Sequence, residues 1–214
     1  MAQAALQFMT TDFAELPVSL RGAHADFLHR YRDVLVTFGP IRHADGRTGY
    51  AYQYDFPGTS VAPMYAFLRD DPLAGAEFVY ATTVRGWRCA LKHRQAAMPV
   101  RPGLAGFFFF GIGKPNITAK RNDIVEAHRA HLMRVDETHC LSRGYLTNVE
   151  GKEWLGSAMV YEFPDRRALD DFFRTEPYCT HGIYAQIEIF DWQRGVMTAE
   201  PRQRDAGASQ RVGA

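Results

Sequence analysis

The chain has 214 residues, of which 46% are hydrophobic and 23% charged, enough apolar material for a real core and too much for a disordered chain. Its 25 basic and 24 acidic residues leave a formal net charge of +1. That balance offers no electrostatic attraction to nucleic acid or to an anionic membrane. Cys89, Cys140 and Cys179 are odd in number and widely spaced, so they form neither a disulfide framework nor a metal-binding pair. The N-terminus lacks a basic stretch followed by a long apolar run, and the most apolar segment, Leu104 to Ile112, is too short to cross a membrane. A cytoplasmic location is the simplest expectation.

An internal repeat organises the rest. Gly39 to Gly46 sets beside Gly144 to Gly151, Phe67 to Pro72 beside Phe172 to Pro177, and Trp87 beside Trp192, all at one offset. The Tyr-Asp-Phe-Pro ending at Pro57 matches the Tyr-Glu-Phe-Pro ending at Pro164 with about two extra residues.

In chain order, a strand is expected around Gln7 to Phe13, followed by a helix from Gly22 to Val36 with Phe27, Leu28, Tyr31, Val34 and Leu35 at helical spacing. A hairpin follows, with Asp45-Gly46 in its first turn, a strand over Thr48 to Tyr54 and a stop at Phe56-Pro57. A second helix, Val61 to Arg69, and a strand, Phe78 to Arg85, complete the first unit. The second unit repeats this with a strand over Gly106 to Ile112, a helix over Asp123 to Glu137 and a turn at Glu150-Gly151. A strand over Leu155 to Tyr161, a helix over Arg166 to Thr175 capped by Asp165, and a strand over Ile183 to Trp192 complete it. The expected domains are residues 1–91, a linker at 92–103, residues 104–198, and a disordered tail at 199–214.

The order β-α-β-β-α-β, twice, is the ferredoxin-like arrangement of an α+β protein. A four-stranded sheet with both helices on one face leaves its other face bare. Here the second unit can cover it, giving an intrachain dimeric α/β-barrel.

Glu176-Pro177-Tyr178-Cys179 resembles the acidic-Pro-Tyr segment that leads YCII-related proteins into their last strand. The spacing from Gly113-Lys114-Pro115 to Glu126-Ala127-His128 is similar to theirs, and Arg21-Gly22-Ala23-His24 resembles their Arg-Pro-Ala-His. The resemblance implies that a histidine on the first helix and an aspartate near its end form an active pair: His128 with Asp136 in the second unit, His24 with Asp33 in the first. The first unit departs more, with Leu73 in the place of the family's tyrosine. Relatives of this kind remove or rearrange groups on ring compounds, a dehydrochlorinase acting on a chlorinated hydroxyquinol among them. The implied activity is therefore a lyase or isomerase that needs no cofactor, with a helix histidine as general acid or base. The alternative is a non-catalytic small-ligand-binding or accessory module.

Helix geometry strains the simple dyad. Residues i and i+8 lie roughly 12 Å apart along a helix axis, so His128 meets Asp136 only if the chain turns back, or else takes a partner from elsewhere. His128 and His131, at i and i+3, share a face as metal ligands would, but no third ligand is evident and no metal is expected. Gly111-Ile112-Gly113-Lys114 lacks the length and ending of a phosphate loop. Phe108 and Phe110, from the run Phe107 to Phe110, are expected to line a ligand pocket between the sheets, with Tyr178 and Tyr184 offering hydroxyls. The expected partner is a small molecule, and the chain either stands as a pseudo-dimeric monomer or forms a homodimer.

Overall fold

The computed structural model describes residues 2–58, 62–148 and 150–198. The first half runs β1 (Ala2–Met9), α1 (Val18–Arg30), β2 (Leu35–Arg42), β3 (Thr48–Asp55), α2 (Ala62–Asp70) and β4 (Val79–Lys92). The second runs β5 (Ala105–Gly113), α3 (Thr118–Asp123), α4 (Val125–Met133), β6 (Cys140–Thr147) and β7 (Trp154–Phe163), then α5 (Arg166–Arg174), α6 (Pro177–Thr180) and β8 (Tyr184–Trp192). Residue 61, expected to open a helix, and the tail at 199–214 lie outside the described residues.

All strands pair antiparallel, and their order around a closed barrel is β1-β3-β2-β8-β5-β7-β6-β4. Within each half this is the ferredoxin-like order, and the α+β intrachain barrel expected from the sequence is what forms. Two seams join the halves. One pairs β4 with β6 from Gly86↔Thr147 to Lys92↔Ser142. The other pairs β2 with β8 only at Ile41↔Trp192 and Arg42↔Asp191. The first seam explains why β4 runs to Lys92 rather than stopping near Arg85: residues beyond Arg85 gain a partner in the other half, which no local pattern reveals.

The barrel interior holds a large apolar cluster. Leu6, Ile41 and Trp87 from the first half meet Phe108, Phe110, Val160 and Phe190 from the second. A polar knot ties the halves together. Gln53 Oε1 accepts hydrogen bonds from the hydroxyls of Thr37 and Ser142, while Gln53 Nε2 and Trp87 Nε1 both donate to the Ala158 carbonyl. Each such buried bond contributes about 1 kcal/mol net and costs more if one side is removed.

The helices cover the outer faces. Phe27, Leu28 and Phe67 pack on Tyr50, Tyr52 and Tyr54 in the first half, and Leu132, Leu169 and Phe173 pack on Phe109, Met159 and Tyr161 in the second. The strands are thus buried on both faces, which hides β1 from an alternation test. Ala2–Met9 is buried along nearly its whole length; Gln3 accepts a hydrogen bond from the Tyr54 hydroxyl, and Gln7 Oε1 lies 3.3 Å from the Tyr52 hydroxyl, whose hydrogen goes to Asp71. The expected start at Gln7 is therefore five residues late.

The expected helix over Gly22 to Val36 shifts to Val18–Arg30, because Val34 belongs to the turn and Leu35 already to β2. The expected helix over Asp123 to Glu137 is α4, shortened to Val125–Met133, and α3 stands before it where no helix is expected. The turns at Gly46 and Gly151 are as expected, each glycine with positive φ (91° and 72°). Asp165 caps α5 by accepting from the Ala168 amide at 2.8 Å.

Candidate functional site

His128 sits on α4, on the face turned toward the outer surface of the second sheet. Its Nδ1 lies 2.6 Å from Glu176 Oε1. Glu176 is 1% exposed and caps α6, accepting the amide hydrogens of Tyr178 at Oε1 (3.0 Å) and Cys179 at Oε2 (2.9 Å). Burial works against its charge. The hydrogen bond and charge of His128, with the two amides, outweigh that and hold its carboxyl below the usual value. An ionised Glu176 can only accept, so Nδ1 carries the ring hydrogen and Nε2 is left free for chemistry. Nε2 makes no hydrogen bond with the described residues and is not sealed from solvent.

The histidine opens onto a cavity of about 530 Å³, within the range of small-molecule sites. Tyr178 forms part of the wall and lies flat against His128, with ring centroids 3.6 Å and planes 2° apart. Burial pushes the Tyr178 hydroxyl up to about 12. Trp154 stands edge-on to Tyr178 at 6.0 Å. Ser157 lines the floor, and its Oγ accepts a hydrogen bond from Tyr184 at 2.9 Å, so its own hydrogen remains available.

The expected residues divide. His128 and Tyr178 line the cavity; Tyr184 lies behind it, acting on Ser157. Asp136 does not reach His128. Past the end of α4 it holds Arg143 through two bonds of 2.7 Å each, to Nε and Nη2. Arg143 in turn lines the cavity. Phe108 and Phe110 point the other way, into the barrel interior, because alternate strand residues face opposite sides. The cavity lies outside the sheet, under the helices, and not between the sheets.

The first half holds a closed counterpart. His24 Nε2 is 3.0 Å from the Tyr52 hydroxyl and 3.8 Å from Asp71 Oδ1, and Tyr52 donates to Asp71 at 2.6 Å. Asp33 takes no part: its side chain is 94% exposed, beside Arg32. In the aligned positions Asp71 corresponds to Glu176, Tyr50 to Ser157, Tyr52 to Met159 and Leu73 to Tyr178. Tyr50 crosses His24 edge-on at 4.6 Å, and Phe13 closes the other side at 5.4 Å. His24 is left 1% exposed. Burial lowers its pKa to about 3 and raises that of Asp71 to about 6.

The remaining groups read as structural. His131 Nε2 bonds the Phe172 carbonyl at 3.0 Å. Burial pushes the Cys89 thiol up to about 12 and raises those of Cys140 and Cys179 further. Among the described residues no three metal-ligating side chains cluster, and no helix is long and apolar enough to cross a membrane.

Glu176, the partner of His128, is not among the site residues expected from the sequence. The signal lay in the sequence, where an acid precedes proline in both Asp71-Pro72 and Glu176-Pro177.

Residues 106–193 match the model of the YCII-related domain. No curated protein sequence is similar to the chain. A proposed monooxygenase from Fusobacterium nucleatum superposes with a TM-score of 0.60 at 11% identity, covering 91% of this chain and 92% of its own. One from Lactobacillus acidophilus gives 0.56 at 9%, covering 91% and 94%. Chlorite dismutase from Candidatus Nitrospira defluvii gives 0.53 at 8%, covering 89% and 90%. These likenesses are of fold: an α+β barrel built from ferredoxin-like halves, on which small-molecule enzymes are found.

Proposed function

We propose that this chain, whose residues 106–193 form a YCII-related domain, is a small-molecule enzyme of lyase or isomerase type working from its second half. The observation that carries this reading is a histidine held by a buried carboxylate at Nδ1, with Nε2 open to a cavity of about 530 Å³. That is the arrangement of a general base whose tautomer is fixed and whose positive charge is met when it forms.

In the proposed step His128 Nε2 takes a proton from a carbon or hydroxyl of a ring compound. In an elimination, the electron pair of the broken C–H bond becomes the new double bond, and the leaving group departs with its own pair. In an isomerisation, the same histidine returns the proton elsewhere on the ring. Ser157, braced by Tyr184, donates to a substrate oxygen. Asp136 serves by fixing Arg143 at the cavity wall. We also read the chain as a duplication of one unit whose first copy keeps a histidine and an acid but has lost the cavity beside them.

The test is a screen of catechols, hydroquinones, lactones and their halogenated forms for turnover and for proton exchange with deuterated water. Turnover abolished by His128→Ala and unaffected by His24→Ala is the expected result. Turnover that survives His128→Ala overturns the mechanism. Binding without turnover or exchange across the series leaves a ligand-binding accessory module.

A further inference from the structure

We propose that the ligand of this cavity is a carboxylate, carried on a planar unsaturated or aromatic ring, and that Arg121 holds its charge. This rests on reading the cavity as the functional site.

The wall is unevenly charged. Arg121, Arg129, Arg143 and Lys152 line it, against a single lining acid among the described residues, Glu153. Three of the four cations already have carboxylate partners: Arg143 has Asp136, Arg129 has Glu126 and Lys152 has Glu150. Arg121 has none among the described residues. Its guanidinium makes one bond, from Nη2 to the Asn122 side-chain oxygen at 2.9 Å, and its buried Nε finds no partner. Most of the Arg121 donors have no protein partner among the described residues, and a carboxylate is the group its planar fork matches with two parallel bonds.

The surroundings hold that fork in place. The Arg121 guanidinium carbon stands 5.1 Å from the Trp154 ring centroid, a cation–π contact that orients the group before any ligand arrives. From there one wall of the cavity is continuous. Trp154 meets Tyr178 edge-on, and Tyr178 lies flat on His128. A ring anchored by its carboxylate at Arg121 therefore runs along an aromatic surface toward the histidine. Trp154 and Tyr178 suit the face of a planar ring better than a flexible chain.

The test is calorimetric titration of the full chain with benzoate and 2,5-dihydroxybenzoate, against benzamide and hydroquinone as neutral counterparts and inorganic phosphate as a second anion. Wild type, Arg121→Gln, Arg121→Lys and His128→Asn are compared after melting curves show that each is folded. The benzoates are expected to bind wild type at least about ten times more tightly than the neutral compounds and phosphate. Arg121→Gln should erase that preference, Arg121→Lys should retain part of it, and His128→Asn should leave it intact. Equal binding of charged and neutral rings, a preference that survives Arg121→Gln, or phosphate matching the benzoates overturns the inference. A carboxylate preference with no turnover of any compound upholds the anion site while the catalytic reading falls. Turnover of neutral rings without the preference does the reverse.

Discussion

Tyr178 lies parallel to His128, its ring centroid 3.6 Å away and its plane tilted by only 2°. The contact fixes the plane in which the imidazole can turn. Tyr178→Phe should keep the stack and nearly all activity. Tyr178→Leu, which installs the residue found at position 73, should lower kcat about tenfold or more by freeing the ring. The loss of the ring-current shift on the His128 proton signals would report the same event without a substrate.

Glu176→Gln leaves the shape but removes the charge behind Nδ1. Turnover should fall by about 10²- to 10⁴-fold. The same variant should alter acid stability. The folded carboxyl titrates below the usual value of 4.5, so folding favours its ionised form. That stabilisation is fully present above the unfolded value and is lost as pH falls through the lowered folded value. Urea denaturation at descending pH should show a steeper loss for wild type than for Glu176→Gln in that acid window.

Asp136→Asn separates two roles for this residue. As the anchor of Arg143 it acts on binding, so KM should rise severalfold with kcat little changed. A fall in kcat matching that of Glu176→Gln would make Asp136 a partner of the histidine after all.

His24 offers a test with the opposite chemistry. Its folded pKa is about 3, against 6.5 for an ordinary histidine. Below 6.5 the unfolded chain takes up a proton that the folded one refuses, so this residue costs stability increasingly as pH drops from 6.5 toward 3. The penalty reaches on the order of a few kcal/mol. Asp71, raised to about 6, takes up a proton on folding over part of the same window and offsets this cost, so His24→Leu should gain stability relative to wild type as pH falls through that window, and catalysis by the second half should be untouched.

Tyr50→Ser should open a void beside His24. Large-to-small changes at fully buried aromatic positions cost about 3–5 kcal/mol, and Tyr50 is 0% exposed. The denaturation midpoint should fall while kcat in the second half stays the same.

The fold was largely legible because its signals are local. Glycines at the hairpin turns, Phe-Pro at two strand ends and the cap at Asp165 each work within a few residues. What resisted reading depends on distant partners. The extension of β4 to Lys92 exists because β6 lies beside it. The burial of Gln3 depends on Tyr54 across the sheet. His128 was recognisable through the family resemblance. Its carboxylate stands 48 residues downstream, where only the folded chain brings it into contact. Phe108 and Phe110 were placed on the wrong side of the sheet for this cavity, since a fully apolar strand gives no indication of which face meets a ligand.

Both halves of the barrel lie on one polypeptide, and this changes what a substitution can do. A barrel assembled from two identical chains carries every residue twice, so a tyrosine at the place of Ser157 would plug both of its cavities at once. Here Tyr50 fills one side and Ser157 leaves the other open. One half can specialise as ballast and the other as workshop, a division of labour closed to any symmetric pair.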